Sequence, residues 1–390
     1  MLIEQLTLTN ILSFGPEPET VTFGPLTVLI GANGSGKSNL LEVIDLLRNA
    51  PDQLLAPIQR GGGFQEWIWK GDKGPGAAAS VDCNVLPKVY SVTRPTRYMF
   101  SFGDSHWNTL ITRELIERTA TEAATSGPHV HYRLEPNGAS ISTNNVINDL
   151  LPGAIDMSRS VLAQFRDPVN YPEITALTEA FGLIRLYREW SFGRHTGVRL
   201  PQRTDMPTKW LEPDASNLGL ILHKLGNDPG TRARIVSALK ELYDGIDNFG
   251  VDIESGHVGV FLQEGDFKIP ATRLSDGTLR YLCLLAILCH PNPPPLVCIE
   301  EPELGLHPDI IRTVAKLLRE ASERCQLIVT THSEVLVDAM TNTSEAIVVC
   351  EKVDGATKLN RLSAEEMVPW LEKYRLGELW TSGQIGGNRW

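Results

Sequence analysis

Residues 31–38 read GANGSGKS, which has the form GxxxxGK[ST]. The flanking residues matter as much as the letters. Residues 26–30 (LTVLI) spell a short buried strand: apolar, β-branched and ended by glycine. Residues 39–47 (NLLEVIDLL) carry apolar side chains three and four apart, the spacing of a helix packed on one face. Strand, glycine loop and helix in that order form the context of a phosphate cradle. Gly31, Gly34 and Gly36 let the backbone turn tightly and aim its N–H groups inward. The helix N-terminus adds partial positive charge. Lys37 can reach the β- and γ-phosphates, and the Ser38 hydroxyl can ligate Mg²⁺. Gly31, Asn33, Gly34, Ser35, Gly36, Lys37, Ser38 and Asn39 are therefore the candidate contacts of a nucleoside triphosphate. Roughly one chain in a hundred of this length matches the pattern by accident. The correctly placed strand and helix make a purely structural turn the weaker reading.

Composition sets the outer bounds. A chain of 390 residues allows one large domain or two ordinary ones, and 42% hydrophobic with 21% charged residues belongs to a soluble globular protein. No apolar run approaches the ~20 residues of a membrane span, and the N-terminus MLIEQLTLTN is not a signal peptide. Six cysteines (83, 283, 289, 298, 325 and 350) include no CxxC pair, and several fall inside apolar runs. They are expected as reduced core residues of a cytoplasmic protein. The net charge of −11 argues against sequence-blind coating of nucleic acid, while leaving room for a local basic groove.

Along the chain, residues 2–9 and 20–23 read as strands before the phosphate loop, and 60–64 (RGGGF) as a loop. Segments near 78–86, 97–102 and 129–134 read as antiparallel strands, 109–124 as a polar helix. Helical patterns follow around 172–188, 214–225 and 230–243, then a hairpin from 249–253 and 259–262. No repeat and no long heptad stretch is present. Between Arg185 and Arg203 lie five arginines and His195 against one acid, Glu189, with Tyr187, Trp190 and Phe192 interleaved. Such a stretch can bind phosphate backbones and stack bases. The alternative is a solvated or interdomain face of arginine–carboxylate pairs.

A second group of chemistry spans about sixty residues. Residues 273–278 (RLSDGT) form a polar turn opening an apolar helix over 279–288, so that Ser275 and the backbone donors make a second anion site. Residues 293–303 (PPPLVCIEEPE) describe a buried parallel strand delivering carboxylates at its C-terminal edge, where open α/β sheets bind ligands. A buried acidic pair is costly unless it meets a cation, here the Mg²⁺ of ATP. Glu300 is assigned to the metal and Glu301 to polarising the attacking water. Residues 327–333 (LIVTTHS) make another apolar strand ending in His332. One helix, over 308–322, separates it from the glutamates, so His332 is expected on the neighbouring strand beside the γ-phosphate, with Ser333 capping a short helix.

The order of these motifs resembles the ABC-type ATPase heads of the RecF, SMC and OLD proteins. It is most similar to stand-alone bacterial ATPases that share Glu-Pro-Glu-x-Gly-Leu-His-Pro and a Gly-rich C-terminus. The resemblance covers the first 48 or so residues and 270–340 strongly, the middle loosely. It implies an α/β P-loop fold in which two heads close face to face over two ATP molecules. Residues 274–278 would be the signature loop, with Ser275 and Gly277 contacting the γ-phosphate held by the other subunit. Gln164 is the candidate for the Mg²⁺-sensing glutamine loop, and 303–308 (ELGLHP) occupies the place of the D-loop. The signature reads LSDGT rather than LSGGQ, and His307 stands where aspartate is usual. No coiled-coil arm is legible, and the acids after His332 leave no room for a Toprim nuclease.

The expectation is thus one ABC-type head: a nucleotide lobe from 1–165 and 271–362, a more helical signature lobe over 166–270, and a docking tail over 363–390. Three functions follow from the resemblance. The first is an ATP-driven homodimeric switch working with a separately encoded effector, such as a nuclease, in defence against phage. The second is a RecF-like DNA-binding ATPase in repair, supported by 185–203. The third, the ATPase subunit of a transporter, fits the departed signature and irregular middle least.

Overall fold

The phosphate-loop strand Leu26–Ile30 lies inside a six-stranded sheet ordered Arg185–Tyr187, Leu296–Glu300, Gln326–Thr330, Leu26–Ile30, Ile347–Val353 and Ala356–Arg361. The first five strands run parallel and the last returns antiparallel. This computed structural model describes residues 1–71, 78–88, 92, 94–105, 108–119, 129–143 and 146–387. Leu26–Ile30 and Gln326–Thr330 are buried throughout, as parallel strands covered on both faces must be.

The two faces support two cores. On one, Val28, Ile30, Val297, Ile299, Leu327 and Val329 pack with the helices Leu218–Gly226, Pro229–Leu242, Asp276–Leu288 and Pro308–Ser322. On the other, Leu29, Cys298 and Ile328 meet the helix Lys37–Asn49. That helix is itself covered by an eight-stranded antiparallel sheet running from Glu19–Thr22 through Ile3–Thr9 and Ala79–Val85 to Val146–Asp149. A third, smaller sheet holds the expected hairpin, Asn248–Glu254 with His257–Glu264. All six cysteines are free and buried. Among the described residues no helix is long and apolar enough to cross a membrane.

Two expectations need correction. The polar helix over 109–124 is instead the strand Asn108–Arg118, and residues 120–124 lie outside the described residues. A register shift opposite Ser101 and Phe102 places a bulge at Thr112, and the buried face switches from Ile111 to Glu114 and Ile116. That three-residue step, with a carboxylate facing inward, hides the period of two that marks a strand. The helix over 172–188 stops at Pro172–Gly182, and Arg185–Tyr187 becomes the edge strand of the six-stranded sheet. The segment 166–270 therefore contributes a strand to the nucleotide sheet before it turns away.

Past Ser363, which caps Ala364–Leu371 by accepting from Glu366 N–H, the chain forms the helix Leu376–Thr381. Leu376, Leu379 and Trp380 are buried in the first core.

Candidate nucleotide-binding and hydrolysis site

Between Leu26–Ile30 and Lys37–Asn49 the loop is positive in φ at Gly31, Gly34 and Gly36. At Gly36 a Cβ would fall 2.2 Å from Thr357 Oγ1, and at Gly31 it would fall 2.3 Å from the Cys350 carbonyl oxygen, so neither position accepts a side chain. Thr357 Oγ1 donates to the Ser35 carbonyl at 2.8 Å and also meets Ser13 Oγ at 2.7 Å, pinning the loop from the antiparallel return strand. Lys37 is 5% exposed and donates through Nζ to the carbonyls of Gly31 (2.7 Å) and Ala32 (3.0 Å). Burial lowers its pKa from the ordinary lysine value, opposed by Cys350, Glu301, Glu300 and Glu303.

The sheet order brings the acidic strand end to this loop. Ser38 Oγ donates directly to Glu300 Oε1, and the other oxygen, Oε2, accepts from Arg188 Nε at 2.9 Å. Arg188 also pairs with Glu42 at 2.8 Å. A serine hydroxyl and a carboxylate in contact are hard oxygen donors of the kind Mg²⁺ takes alongside phosphate oxygens. Among the described residues there is no cluster of three or more His, Cys, Asp or Glu that would hold a metal by itself. Among the described residues the buried Ser35 hydroxyl has no hydrogen-bond partner, a polar group suited to a phosphate oxygen. The residues present thus fit a magnesium-bound triphosphate.

Glu301 follows with φ of 46°, left-handed for a non-glycine residue, its N–H held by the Thr330 carbonyl at 3.1 Å. Strain of this kind collects where a side chain must be aimed. The Glu301 carboxylate lies 3.4 Å from His332 Nε2, and both side chains are about a third exposed (34% each). A carboxylate beside an imidazole at an open sheet edge can polarise water and donate to a phosphate. Glu303, read from the sequence only as the first residue of the D-loop stretch, holds the His332 end of this pair. Its Oε1 accepts from Thr331 Oγ1 at 2.6 Å and from His332 N–H at 2.8 Å. Its buried Oε2 has no hydrogen-bond partner among the described residues, and burial raises the Glu303 pKa.

The turn at residues 274–278, expected as the signature turn, lies against residues 301–305 at the same edge. Ser275 caps Asp276–Leu288, accepting from Thr278 N–H at 3.1 Å. A Cβ on Gly277 would lie 2.5 Å from the Gly305 carbonyl oxygen, so the signature turn and residues 303–308 are in backbone contact. Arg280, buried on that helix, donates to the Leu304 carbonyl at 2.6 Å and lies 5.1 Å over the Trp190 ring. Arg199 donates to Ala271 O at 3.1 Å and Leu274 O at 2.6 Å, and pairs with Asp276. The arginine-rich stretch divides: Arg188 and Arg199 turn inward to the site, Arg185 lies 5.0 Å over Trp210, and Arg203 pairs with Asp205 at the surface. Arg194 and His195 are exposed. Asn39, one residue past the exposed Ser38, is half-buried.

Gln164 is spent in its own loop. Its amide donates to the carbonyls of Asp156 (3.0 Å) and Arg159 (2.9 Å), and its oxygen accepts from Asp156 N–H at 3.0 Å. Among the described residues no hydrogen bond joins it to the phosphate loop or the glutamates.

A parallel sheet with a phosphate loop, paired glutamates and a histidine along one edge, covered by an antiparallel sheet and a signature helix, is an ABC-type P-loop ATPase head of the RecF and SMC kind. The chain belongs to the AAA-domain family described as "AAA domain, putative AbiEii toxin, Type IV TA system", whose model matches residues 26–103 and 164–338. The Chromosome partition protein Smc of Mycolicibacterium paratuberculosis (strain ATCC BAA-968 / K-10) is 36% identical over 116 residues, covering 27% of this chain and 9% of that protein. The Smc of Mycobacterium leprae (strain TN) matches with the same identity and coverage. The match thus spans only 9% of the length of these relatives. Among solved structures, an Smc head bound to the C-winged helix domain of ScpA superposes with a TM-score of 0.57 at 19% identity, covering 94% of this chain and 99% of that one. An Smc head with an extended coiled coil, bound to the C-terminal domain of ScpA derived from Pyrococcus furiosus, gives 0.54 at 17% identity, covering 95% and 99%. At such identities the likeness is one of fold.

Proposed function

We propose that this chain is an ATP-hydrolysing switch that closes as a homodimer over two ATP molecules and controls a separately encoded effector. The observation that carries the dimer is the exposed signature turn. Ser275 and Asp276 face solvent beside Leu304, which is 57% exposed, and among the described residues the turn makes no hydrogen bond to its own phosphate loop. An anion site opened away from the cradle on its own chain suits the γ-phosphate held by a second copy.

In this reading residues 31–39 hold the phosphates, with Lys37 as counter-ion, and Ser38 with Glu300 holds Mg²⁺. Glu301 polarises the attacking water, His332 donates to the γ-phosphate, and Ser275 with Gly277 completes the site across the dimer. The bound Mg²⁺ would neutralise the developing phosphate charge. The bipartite nucleotide lobe, the signature lobe and the docking tail are the moving parts we assign to the switch. An effector in phage defence is supported by the family's description, which names a toxin and a type IV TA system. A second reading, a DNA-handling ATPase, is favoured by the match to Chromosome partition protein Smc.

Steady-state ATP hydrolysis with and without DNA tests both, with the mass of the Glu301→Gln protein in Mg²⁺-ATP measured by light scattering. Turnover indifferent to DNA and a doubled mass support the effector switch. Strong stimulation by DNA transfers the assignment to the DNA-handling reading, and a monomeric mass in Mg²⁺-ATP overturns the dimer.

A further inference from the structure

Residues 382–387 carry the chain from the helix Leu376–Thr381 onto the far side of the phosphate loop. Gly386 and Gly387 are left-handed, with φ of 76° and 73°. Gly387 N–H donates to Glu351 Oε1 at 2.7 Å. A Cβ on Gly386 would fall 2.5 Å from that same oxygen. A Cβ on Gly387 would fall 2.8 Å from Val349 Cγ1 and 3.4 Å from Gly31 Cα, the first residue of the cradle. Both conformation and space therefore demand glycine here. A cavity of about 220 Å³ opens alongside, lined in part by Asn33, Ser35, Cys350, Glu351, Lys352 and Gly387.

The sheet order says what this cavity faces. The strands that lead to Glu300, Glu301 and His332 lie on one side of Leu26–Ile30, and Ile347–Val353 lies on the other. A triphosphate with its γ end toward Glu301 and His332 extends its nucleoside toward Ile347–Val353, where the cavity is. We infer that residues 383–387 form a strap which, with Glu351, builds the nucleoside wall of the ATP site, the Glu351 carboxylate accepting from the ribose hydroxyls. An acidic side chain does this for the ribose of dinucleotides. Gly387 N–H fixes one carboxylate oxygen, which orients the other. The inference rests on the ATP reading proposed above.

The test is isothermal titration of the full chain with Mg²⁺-ATP, Mg²⁺-2′,3′-dideoxy-ATP and inorganic tripolyphosphate. Wild type should prefer ATP over both other ligands. Glu351→Ala should weaken ATP about tenfold, the effect of losing a hydrogen bond to a charged group, erase the preference over dideoxy-ATP and leave tripolyphosphate unchanged. Gly387→Ala should weaken ATP with tripolyphosphate again unchanged, and Glu351→Ala carries the test if the glycine variant does not fold. An Glu351→Ala protein with unchanged ATP affinity overturns the strap, as does a parallel loss of ATP and tripolyphosphate. A wild type that binds tripolyphosphate as well as ATP overturns the nucleoside wall alone. A wild type that binds neither removes the ATP reading itself.

Discussion

Arg188 donates through Nε to Glu300 Oε2 at 2.9 Å, and this ion pair turns the opposite carboxylate oxygen onto Ser38. Burial acts to lower the Arg188 pKa, but hydrogen bonds and charge from Glu300 and Glu42 more than offset it, and the net shift is upward. The guanidinium is thus a fixed, permanently charged brace behind the proposed metal ligand, with a planar fork that an ammonium does not reproduce. Residues that orient a metal ligand typically cost 10–100-fold in affinity or activity when removed. Arg188→Met should raise the Mg²⁺ concentration needed for half-maximal ATP hydrolysis by about that factor, with Arg188→Lys restoring only part of it. A magnesium titration at saturating ATP reads this directly. An unmoved midpoint would reduce Arg188 to a packing role.

Lys37→Ala should abolish measurable ATP binding while leaving the fold intact. Lys37 Nζ is held by two carbonyls of the loop it serves, and burial already disfavours its charge. A polyphosphate supplies the partner that makes a buried ammonium favourable. Titration calorimetry checks the binding and circular dichroism the fold. Retained affinity would contradict the cradle.

Glu301→Gln should keep ATP affinity and lower turnover by about 10²–10⁴-fold, the range of general-base contributions. The amide preserves shape and the left-handed backbone is untouched, so the loss isolates the carboxylate. Single-turnover hydrolysis measures it. Near-normal turnover would move the role to Glu303, whose burial-raised pKa also suits a proton acceptor.

Much of this site was legible because its chemistry is written in contiguous runs. LTVLI before the loop, LVCIE before the glutamates and LIVTT before His332 are each apolar throughout, and a strand buried on both faces has that composition. The neighbours that hold the site were not legible, because they come from elsewhere in the chain. Arg188 is 112 residues from Glu300, and Thr357 is 322 residues from the Ser35 carbonyl it grips. The arginine-rich stretch illustrates the ambiguity. Its composition suits nucleic acid, yet Arg188 and Arg199 face inward and brace the acidic strand end and the signature turn. The eight-stranded sheet failed to show where an inward carboxylate and a bulge broke its alternation.

That carboxylate, Glu114, gives the last prediction. It is fully buried, and its oxygens accept from Tyr98 OH at 2.8 Å, from Ser160 Oγ, and from Val161 N–H at 2.9 Å at the start of the helix Val161–Gln164. Burial raises its pKa above the ordinary glutamate value, with the three hydrogen bonds opposing. The folded state therefore holds this proton more tightly than the unfolded state does. Stability from this site is fully present below the unfolded value and is lost as pH rises through the raised folded value. Glu114→Gln removes the titration while keeping an acceptor for Val161 N–H, and the two hydroxyls can turn to accept from its amide. The difference in melting temperature, variant minus wild type, should become more positive between about pH 4 and pH 8. Any constant cost of the substitution shifts both ends equally, so the slope carries the test. Parallel melting curves across that range would mean that Glu114 keeps the same proton affinity folded and unfolded.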